Sequence, residues 1–345
     1  MPPAESPIEP SAAPVVLTGA SGFIAKHVAR QLLEDGYAVR ATLRSPSREG
    51  EVRDAVLPGL PADAADRLTF SPADLLSDEG WPEAMAGARA LIHTASPFPQ
   101  NQPADPQEVI RPAVEGTRRA LGAAADAGVT RVVLTSSVAA IRHPGPPEVQ
   151  DERDWIDPEA PTSTPYDASK ALAERAAWDL ARERGLALTA INPSLVLGPL
   201  LDAASGTSVG LVARLLRGRD PVVLNMGLSA VDVRDVALMH VRALTLPATE
   251  GERVIASAGL LPMPIMAKAL KRAFPDRRIP TLTAPDWLVR ALARAVPDLR
   301  GAVPYLGRED LVSNDKARRL FGLDFIPPEE ALLATARSLL ARGLV

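Results

Sequence analysis

The stretch Pro14-Val-Val-Leu-Thr-Gly-Ala-Ser-Gly-Phe-Ile-Ala25 decides how this chain folds. Its first five residues form a short apolar run, which predicts a buried strand ending at Thr18. Residues 22–35 then carry apolar side chains at helical spacing, so a helix is expected directly after the turn. Gly19 permits the tight turn, and Gly22 lets the backbone approach a pyrophosphate at the helix N-terminus. This unit predicts a dinucleotide site, with an ordinary strand–helix turn as the alternative.

The end of the next predicted strand indicates which dinucleotide binds. Residues 37–43 form that strand, which ends at Arg44, with Arg48 four residues later and no acidic residue between them. An acidic residue there would hold the ribose 2′-hydroxyl of NAD, whereas a guanidinium can bind the 2′-phosphate of NADPH through two hydrogen bonds. We therefore predict NADP(H) as the cofactor, the alternative being that both arginines are solvated surface charges. Asp74 and Leu75, after the third strand, are predicted to meet the adenine edge.

Strands and helices alternate as far as Asn192, where the rhythm breaks. Strands that alternate with long helices predict parallel pairing, and hence an α/β fold with a doubly wound parallel sheet of the Rossmann type. Residues 222–244 are predicted to return to this sheet as one more strand and helix. The predicted division has three parts: a disordered N-terminal arm over 1–13, an NADP-binding domain over 14–192 plus 222–244, and a smaller, mostly helical substrate lobe over 193–221 plus 245–345.

Tyr166-Asp-Ala-Ser-Lys170 opens a helix predicted over residues 165–184. Four residues apart, the phenol and the ammonium lie on one helix face. The ammonium is expected to lower the pKa of the phenol from about 10, so that Tyr166 can protonate a carbonyl oxygen as hydride reaches the carbon. Ser137, just after a strand predicted over residues 131–136, can donate a hydrogen bond to that oxygen. The alternatives are a chance spacing of Tyr and Lys and a capping role for the serine.

Composition argues against several other classes of function. The chain has no cysteine, and its four histidines are not spaced as metal ligands, so we expect no metal site. The net charge of −4 offers no basic field for nucleic acid. Neither a secretory signal nor an apolar run long enough for a membrane span is found, which predicts a cytoplasmic protein without membrane contact. His93 is interpreted as a packed structural histidine.

Several motifs together resemble the extended short-chain dehydrogenase/reductases, and within them the dihydroflavonol reductase-like branch that includes microbial aldehyde and methylglyoxal reductases. The resemblance extends over about residues 14–245. The motifs that carry it are Thr18-Gly-Ala-Ser-Gly-Phe-Ile-Ala25, Arg44, Asp74-Leu75, His93-Thr-Ala-Ser-Pro-Phe98, Thr135-Ser-Ser137, Tyr166-Asp-Ala-Ser-Lys170 and Asn192-Pro-Ser-Leu-Val-Leu-Gly-Pro199.

The resemblance implies an NADPH-dependent reductase that converts an aldehyde or ketone to the alcohol. Ser137 would polarise the carbonyl, Tyr166 would be the general acid, and Lys170 would also hold the nicotinamide ribose. The complete set predicted to bind the cofactor is Thr18, Gly19, Ser21, Gly22, Phe23, Ile24, Arg44, Arg48, Asp74, Leu75, Thr94, Ala95, Ser96, Thr135, Tyr166, Lys170, Pro193 and Val196. The candidate substrate residues are Phe98, Ser137, Tyr166, Leu195, Leu200 and Met226, the apolar ones having a place in the core as their alternative.

Three other functions stay open at this point. A sugar-nucleotide epimerase or dehydratase would use the same Tyr–Lys pair with NAD, and a 3β-hydroxysteroid dehydrogenase-like enzyme would oxidise its substrate. An NADPH-sensing protein would bind the cofactor without turnover. Arg44 argues against the first, and the presence of Tyr166 and Lys170 argues against the last. The predicted partner is a small-molecule carbonyl compound, and the chain is expected to be a monomer or a homodimer.

Overall fold

Ten strands and eleven α-helices are assigned in the computed structural model, which describes residues 13–96, 105–142, 148–203, 206–296, 299, 302–303 and 305–345. Residues 1–12 of the predicted arm and the candidate substrate residue Phe98 lie outside these ranges. The strands are β1 (Val15–Thr18), β2 (Val39–Leu43), β3 (Leu68–Pro72), β4 (Ala90–His93), β5 (Arg131–Thr135), β6 (Ala187–Pro193), β7 (Leu195–Leu197), β8 (Gly227–Asp232), β9 (Arg253–Ala256) and β10 (Gly259–Pro262).

The helices flank and extend these strands. They are α1 (Phe23–Glu34), α2 (Glu49–Val56), α3 (Trp81–Met85), α4 (Gln107–Asp126), α5 (Pro165–Arg184), α6 (Thr207–Arg217), α7 (Val233–Ala243), α8 (Met263–Ala273), α9 (Asp286–Leu292), α10 (Asp315–Phe321) and α11 (Pro328–Ala341). Within the described ranges, no helix combines the length and the apolar character that crossing a membrane requires.

Seven strands form one parallel sheet in the order β3-β2-β1-β4-β5-β6-β9. Alternate residues of each central strand face opposite layers: Val15 and Leu17 pack toward α1 and α7, whereas Val16 packs toward α3, α4 and α5. Helices therefore cover both faces, as a buried parallel sheet requires. The Rossmann-type α/β fold predicted from the sequence is confirmed.

A second, three-stranded sheet corrects one expectation. We expected the strand within residues 222–244 to join the main sheet, but β8 pairs with β7 and antiparallel with β10 in the smaller sheet. The seventh strand of the main sheet is β9, which lies within the range predicted for the smaller lobe. Of the predicted strand and helix in residues 222–244, only the helix, α7, returns to the main sheet, where it packs beside α1. The division into two lobes stays a proposal.

The strand order brings the predicted loops together. The direction of strand addition reverses between β1 and β4, and ligands of such sheets bind at the carboxyl ends beside this switch point. Gly19 has a positive φ of 69°, and a Cβ at this position would lie 2.9 Å from the Cα of Ala95. The loop after β1 and the loop after β4 therefore pack directly against each other, and only glycine fits between them.

Candidate active site

A groove of about 700 Å³ runs across the carboxyl ends of the central strands. All residues predicted to bind the cofactor line it, with the single exception of Thr18. The predicted catalytic residues Ser137, Tyr166 and Lys170 line the same groove. The groove is also lined by residues that were not predicted, namely Ala25, Thr42, Leu43, Ser45, Ala73, Leu76, Trp81, Glu108, Pro112, Ser136, Ser194, Gly206, Thr207 and Ser208.

One end of the groove has the features of a phosphate site. Gly22 is the N-terminal boundary residue of α1, and among the described residues no side chain caps this helix and none in its first turn is acidic. The backbone N–H groups of the first turn therefore keep their hydrogen-bonding capacity for an anion, which the helix dipole also favours. A dinucleotide pyrophosphate fits this donor set.

The two predicted phosphate-binding arginines differ in their surroundings. Arg44 is exposed beside the groove, and the described part of the chain provides it with no ion-pair partner. Arg48 instead donates from Nε and Nη2 to the two carboxylate oxygens of Glu51, each at 2.8 Å, and from Nη1 to Ser21 Oγ at 2.9 Å. The hydrogen bonds from Arg48, assisted by the ammonium of Lys26, lower the pKa of Glu51 to about 2. Arg44 is thus the better placed of the two to bind a 2′-phosphate.

Thr18 acts behind the groove instead of lining it. It is buried, and its Oγ1 accepts hydrogen bonds from the backbone N–H groups of Thr94 and Ala95 at 3.1 and 3.0 Å. Since both acceptor positions are used, its own proton goes to His93 Nδ1, 2.8 Å away. Burial, together with the charge of Lys170, lowers the pKa of His93 to about 3. His93 is therefore neutral and structural, in agreement with the interpretation from the sequence.

Ser137, Tyr166 and Lys170 come together where β5 meets α5. Ser137 follows β5, and its hydroxyl accepts the backbone N–H of Ala139 at 3.1 Å and forms a hydrogen bond with the Tyr166 phenol. Thr164 and Asp167 form a capping box that begins α5, so the first turn carrying Tyr166 is fixed. The Nζ atom of Lys170 lies 5.9 Å from the centre of the Tyr166 ring. The geometry brings together a hydroxyl, a phenol and an ammonium in one groove.

The expectation of a lowered pKa for Tyr166 is wrong for this structure. Burial raises the pKa of Tyr166 to about 12, and the hydrogen bond from Ser137 and the charge of Arg142 offset only part of this effect. Burial also lowers the pKa of Lys170 to about 8, while the carboxylate of Glu174 opposes that shift. The physical reason is that desolvation of the phenol outweighs the nearby positive charges.

A buried polar network that the sequence did not reveal lies beneath these residues. The Glu174 carboxylate accepts hydrogen bonds from Ser136 Oγ at 2.6 Å, from Asn192 Nδ2 at 2.8 Å and from Arg253 Nε at 2.6 Å. Asn192 Nδ2 also donates to the carbonyl oxygen of Ser137 at 3.1 Å. Glu174 lies four residues after Lys170 on the same helix, and this spacing was the one feature of the sequence that could have indicated a carboxylate close to Lys170. The network joins α5 to β5, β6 and β9 directly behind the groove.

Three of the residues predicted to contact the substrate, Leu195, Leu200 and Met226, do not line the groove. Leu200 is 4% exposed and packs in the core around the smaller sheet, which is the alternative that the sequence left open for it, and its contact with substrate stays a prediction. Leu195 and Met226 are partly buried against the same core, and their contact with substrate stays a prediction. An apolar residue near a strand end can serve packing or contact a ligand equally well, so residue type alone does not separate the two roles.

This arrangement is that of a nucleotide-dependent oxidoreductase with a Tyr–Lys pair. The chain belongs to the NAD dependent epimerase/dehydratase family, whose model matches residues 15–257, and within it to the extended short-chain dehydrogenase/reductases. It is similar to cinnamoyl-CoA reductase 1 of Petunia hybrida, with 37% identity over 95% of this chain and 92% of that protein. Cinnamoyl-CoA reductase 1 of Arabidopsis thaliana is 34% identical over 97% of this chain and 91% of its own length.

The chain is also similar to solved structures of reductases. The yeast methylglyoxal/isovaleraldehyde reductase Gre2, complexed with NADPH, matches with a TM-score of 0.78 and 28% identity over 96% of this chain and 99% of that chain. The Gre2–NADPH complex from Candida albicans matches with a TM-score of 0.76 and 25% identity, again over 96% of this chain and 99% of the other.

Proposed function

We propose that this protein is an NADPH-dependent reductase that converts an aldehyde or ketone to the alcohol, with Tyr166 as the general acid. The observation that carries the proposal is that Ser137, Tyr166 and Lys170 line one groove together with the glycine turn. A carbonyl oxygen bound there would meet both hydroxyl groups at the end of the predicted nicotinamide site.

The residues of the groove favour NADPH over NADH. Arg44 stands where an NAD-binding protein carries an acidic residue, and it is free to bind a 2′-phosphate. The first turn of α1 would hold the pyrophosphate, and Lys170 would hold the nicotinamide ribose. The similarity to Gre2, which is solved with NADPH, supports this choice. When bound, the cofactor supplies the hydride.

The side chains of this chain supply the proton and the alignment. With a pKa near 12, Tyr166 carries its proton throughout the neutral range and is therefore ready to act as an acid. Ser137 would donate a hydrogen bond to the substrate oxygen and so favour the charge that develops there. With a pKa of about 8, Lys170 is mostly charged at neutral pH and would stabilise the phenolate left after the transfer.

A second candidate is the reduction of an acyl-CoA thioester to an aldehyde. The observation that favours it is the similarity to cinnamoyl-CoA reductases over nearly the whole chain. The same hydroxyl groups would serve a thioester carbonyl, so the two candidates differ in substrate and not in the acid.

The test is the loss of NADPH absorbance with aromatic and aliphatic aldehydes, ketones, α-diketones and one aromatic acyl-CoA, each repeated with NADH. We expect turnover of an aldehyde or ketone and a preference for NADPH. Turnover of the thioester alone would select the second candidate. Tight NADPH binding without turnover of any carbonyl compound would contradict both and favour a sensor.

The Tyr166→Phe variant tests the acid itself. It removes one oxygen and keeps the ring, so cofactor binding should stay close to that of the wild type while kcat falls by about 10²- to 10⁴-fold. A variant that keeps most of its turnover would exclude Tyr166 as the proton donor.

A further inference from the structure

An ion-pair cluster lies beside the first turn of α5. Arg142 follows the short turn behind Ser137, and its Nη1 lies 2.5 Å from Oδ2 of Asp310, in the C-terminal part of the chain. Its Nη2 lies 3.6 Å from Oδ1 of Asp167, the residue directly after Tyr166. The Arg142 guanidinium thus connects the loop after β5, the helix that carries the acid and the C-terminal region.

Tyr305 completes this cluster. The guanidinium carbon of Arg142 lies 5.0 Å from the centre of the Tyr305 ring, and the Tyr305 hydroxyl donates to Asp167 Oδ2 at 3.0 Å. The same Asp167 oxygen accepts from Thr164 Oγ1 at 2.7 Å, within the capping box. Asp167 is 3% exposed, so its charge needs these partners. The position of the first turn of α5 therefore depends on side chains from outside the helix.

The titratable and charged groups around the Tyr166 phenol come from several elements. α5 contributes Lys170 and Asp167, the loop after β5 contributes Arg142, and the C-terminal part contributes Tyr305 and Asp310. Glu108 of α4 lines the same groove, and His93, which ends β4, is neutral. Within the described part of the chain, Arg142 and Lys170 are the cations of this set.

We propose that Arg142, held in place by Asp310, is a positioning residue for proton transfer by Tyr166: it fixes the first turn of α5 and supplies positive charge that stabilises the phenolate. This inference rests on the proposed function. From the sequence, Lys170 alone was expected to stabilise the Tyr166 phenolate. The inference gives part of this stabilisation to Arg142, in the loop after β5, and to its partner Asp310 in the C-terminal region.

The pKa shifts of Tyr166 and of Arg142 both support this assignment. The charge of Arg142 lowers the pKa of Tyr166 against the larger, opposite effect of burial. Burial alone would lower the pKa of Arg142, but the carboxylates of Asp310 and Asp167 raise it, so the guanidinium stays charged at every working pH. The positive charge of Arg142 therefore acts on the phenol at every working pH, and the negative charge of Asp310 offsets part of its effect.

Two substitutions should shift the reaction in opposite directions. In the oxidation of the alcohol by NADP⁺, the phenolate of Tyr166 takes the hydroxyl proton while hydride leaves the carbon for the cofactor. Arg142→Met removes the cation and should move the rise of kcat/KM with pH upward by about 0.5 to 1 unit, which at a fixed pH on that rise is a loss of about 3- to 10-fold. Asp310→Asn keeps an oxygen that can accept the hydrogen bond from Arg142 and so hold it in place, but removes the opposing charge; it should move the rise downward and increase the rate by about 2- to 5-fold.

Matched variants separate this effect from damage to the fold. Arg142→Lys retains the charge and should restore most of the wild-type profile. Arg153→Met removes an equally charged but 91% exposed side chain and should leave the profile unchanged. If Arg142→Met does not fold, the rate of Asp310→Asn tests the inference by itself. A purely structural defect would slow the reaction, whereas the inference predicts a faster one.

A second readout needs no turnover. The chain has three tyrosines, so the difference between the tyrosinate titrations of each protein and of its Tyr166→Phe form reports Tyr166 alone. Displacements of opposite sign in Arg142→Met and Asp310→Asn are expected here too. Shifts of the same sign, or none beyond that of Arg153→Met, would overturn the inference. If the wild-type protein turns over no carbonyl compound, the proposed function is contradicted. The tyrosinate titration then still tests whether Arg142 stabilises the Tyr166 phenolate, because it needs no turnover.

Discussion

The regions before and after Pro193 are built by different rules. From β1 to β5, each strand is followed by a helix before the next strand begins, and each new strand as far as β6 pairs in parallel with a strand already in that sheet. After Pro193, the three-stranded sheet joins segments that lie far apart in the sequence and mixes parallel with antiparallel pairing. The first region contains the glycine turn, the Tyr–Lys pair and Ser137, whereas the second contributes partners that hold them in place.

This difference separates reacting groups from supporting groups. Arg253 and Tyr305 come from the second region and contact α5 in the first, and Asp310 contacts Arg142 in the loop after β5. Pro199 likewise accepts a hydrogen bond from α1. If the second region positions the first, breaking contacts between the regions should cost more than breaking similar contacts within one of them.

The largest effect is expected at the buried pair between Glu174 and Arg253. Glu174→Met leaves the guanidinium of Arg253 unpaired in a site where the two side chains are 0% and 9% exposed. Removing one partner of such a pair costs about 3–5 kcal/mol, so urea unfolding should show a loss of this size. In the double variant Glu174→Met/Arg253→Met, part of this loss should be regained.

An exposed pair within the second region serves as the control for Glu174. Asp220→Asn breaks the ion pair with Arg214, whose side chain is 57% exposed, and should cost less than about 1 kcal/mol. If Glu174→Met is as stable as Asp220→Asn, the buried pair between the regions contributes no more to the free energy of unfolding than an exposed pair does.

The second effect concerns the switch point inside the first region. Gly19→Ala must place a Cβ at a positive φ, at a cost of about 1–2 kcal/mol, and must also displace the backbone of Ala95, at a cost of about 1–3 kcal/mol. Gly128→Ala has a φ of 76° but open space around the added atom, so only the first cost applies. Thermal unfolding of the two variants measures the difference. Equal losses would show that the loops after β1 and β4 are not tightly packed.

The sequence was sufficient for the first region because its information is local. The glycine turn, the strand that ends at Arg44 and the spacing of Tyr166 and Lys170 each lie within a few residues, and parallel topology then brings them to one edge of the sheet. The bounds of α5, residues 165–184, were predicted without error because a capping box and Gly185 mark its two ends.

The second region could not be predicted in the same way. Pairing of β8 with β7 and β10, instead of with the main sheet, depends on contacts between segments distant in sequence, and β8 carries no local signal for either choice. The high pKa of Tyr166 had the same origin, since spacing shows the nearby Lys170 but does not show burial. Arg142 was missed because its partners Asp310 and Asp167 become neighbours only in the folded chain.

The smallest effect concerns a contact between the regions that depends on pH. Nε2 of His27 in α1 lies 2.9 Å from the carbonyl oxygen of Pro199, and burial lowers the pKa of His27 from 6.5 to about 4. Because the folded state holds this proton less tightly than the unfolded chain, the stability from His27 is complete above pH 6.5 and declines as the pH falls toward 4. His27→Gln can still donate to Pro199 but does not titrate, so it should match the wild type at pH 7 and exceed it by about 1–2 kcal/mol at pH 5.5. Denaturation at the two pH values tests this, and identical pH dependence in both proteins would show that His27 is already neutral in the unfolded chain or charged in the folded one.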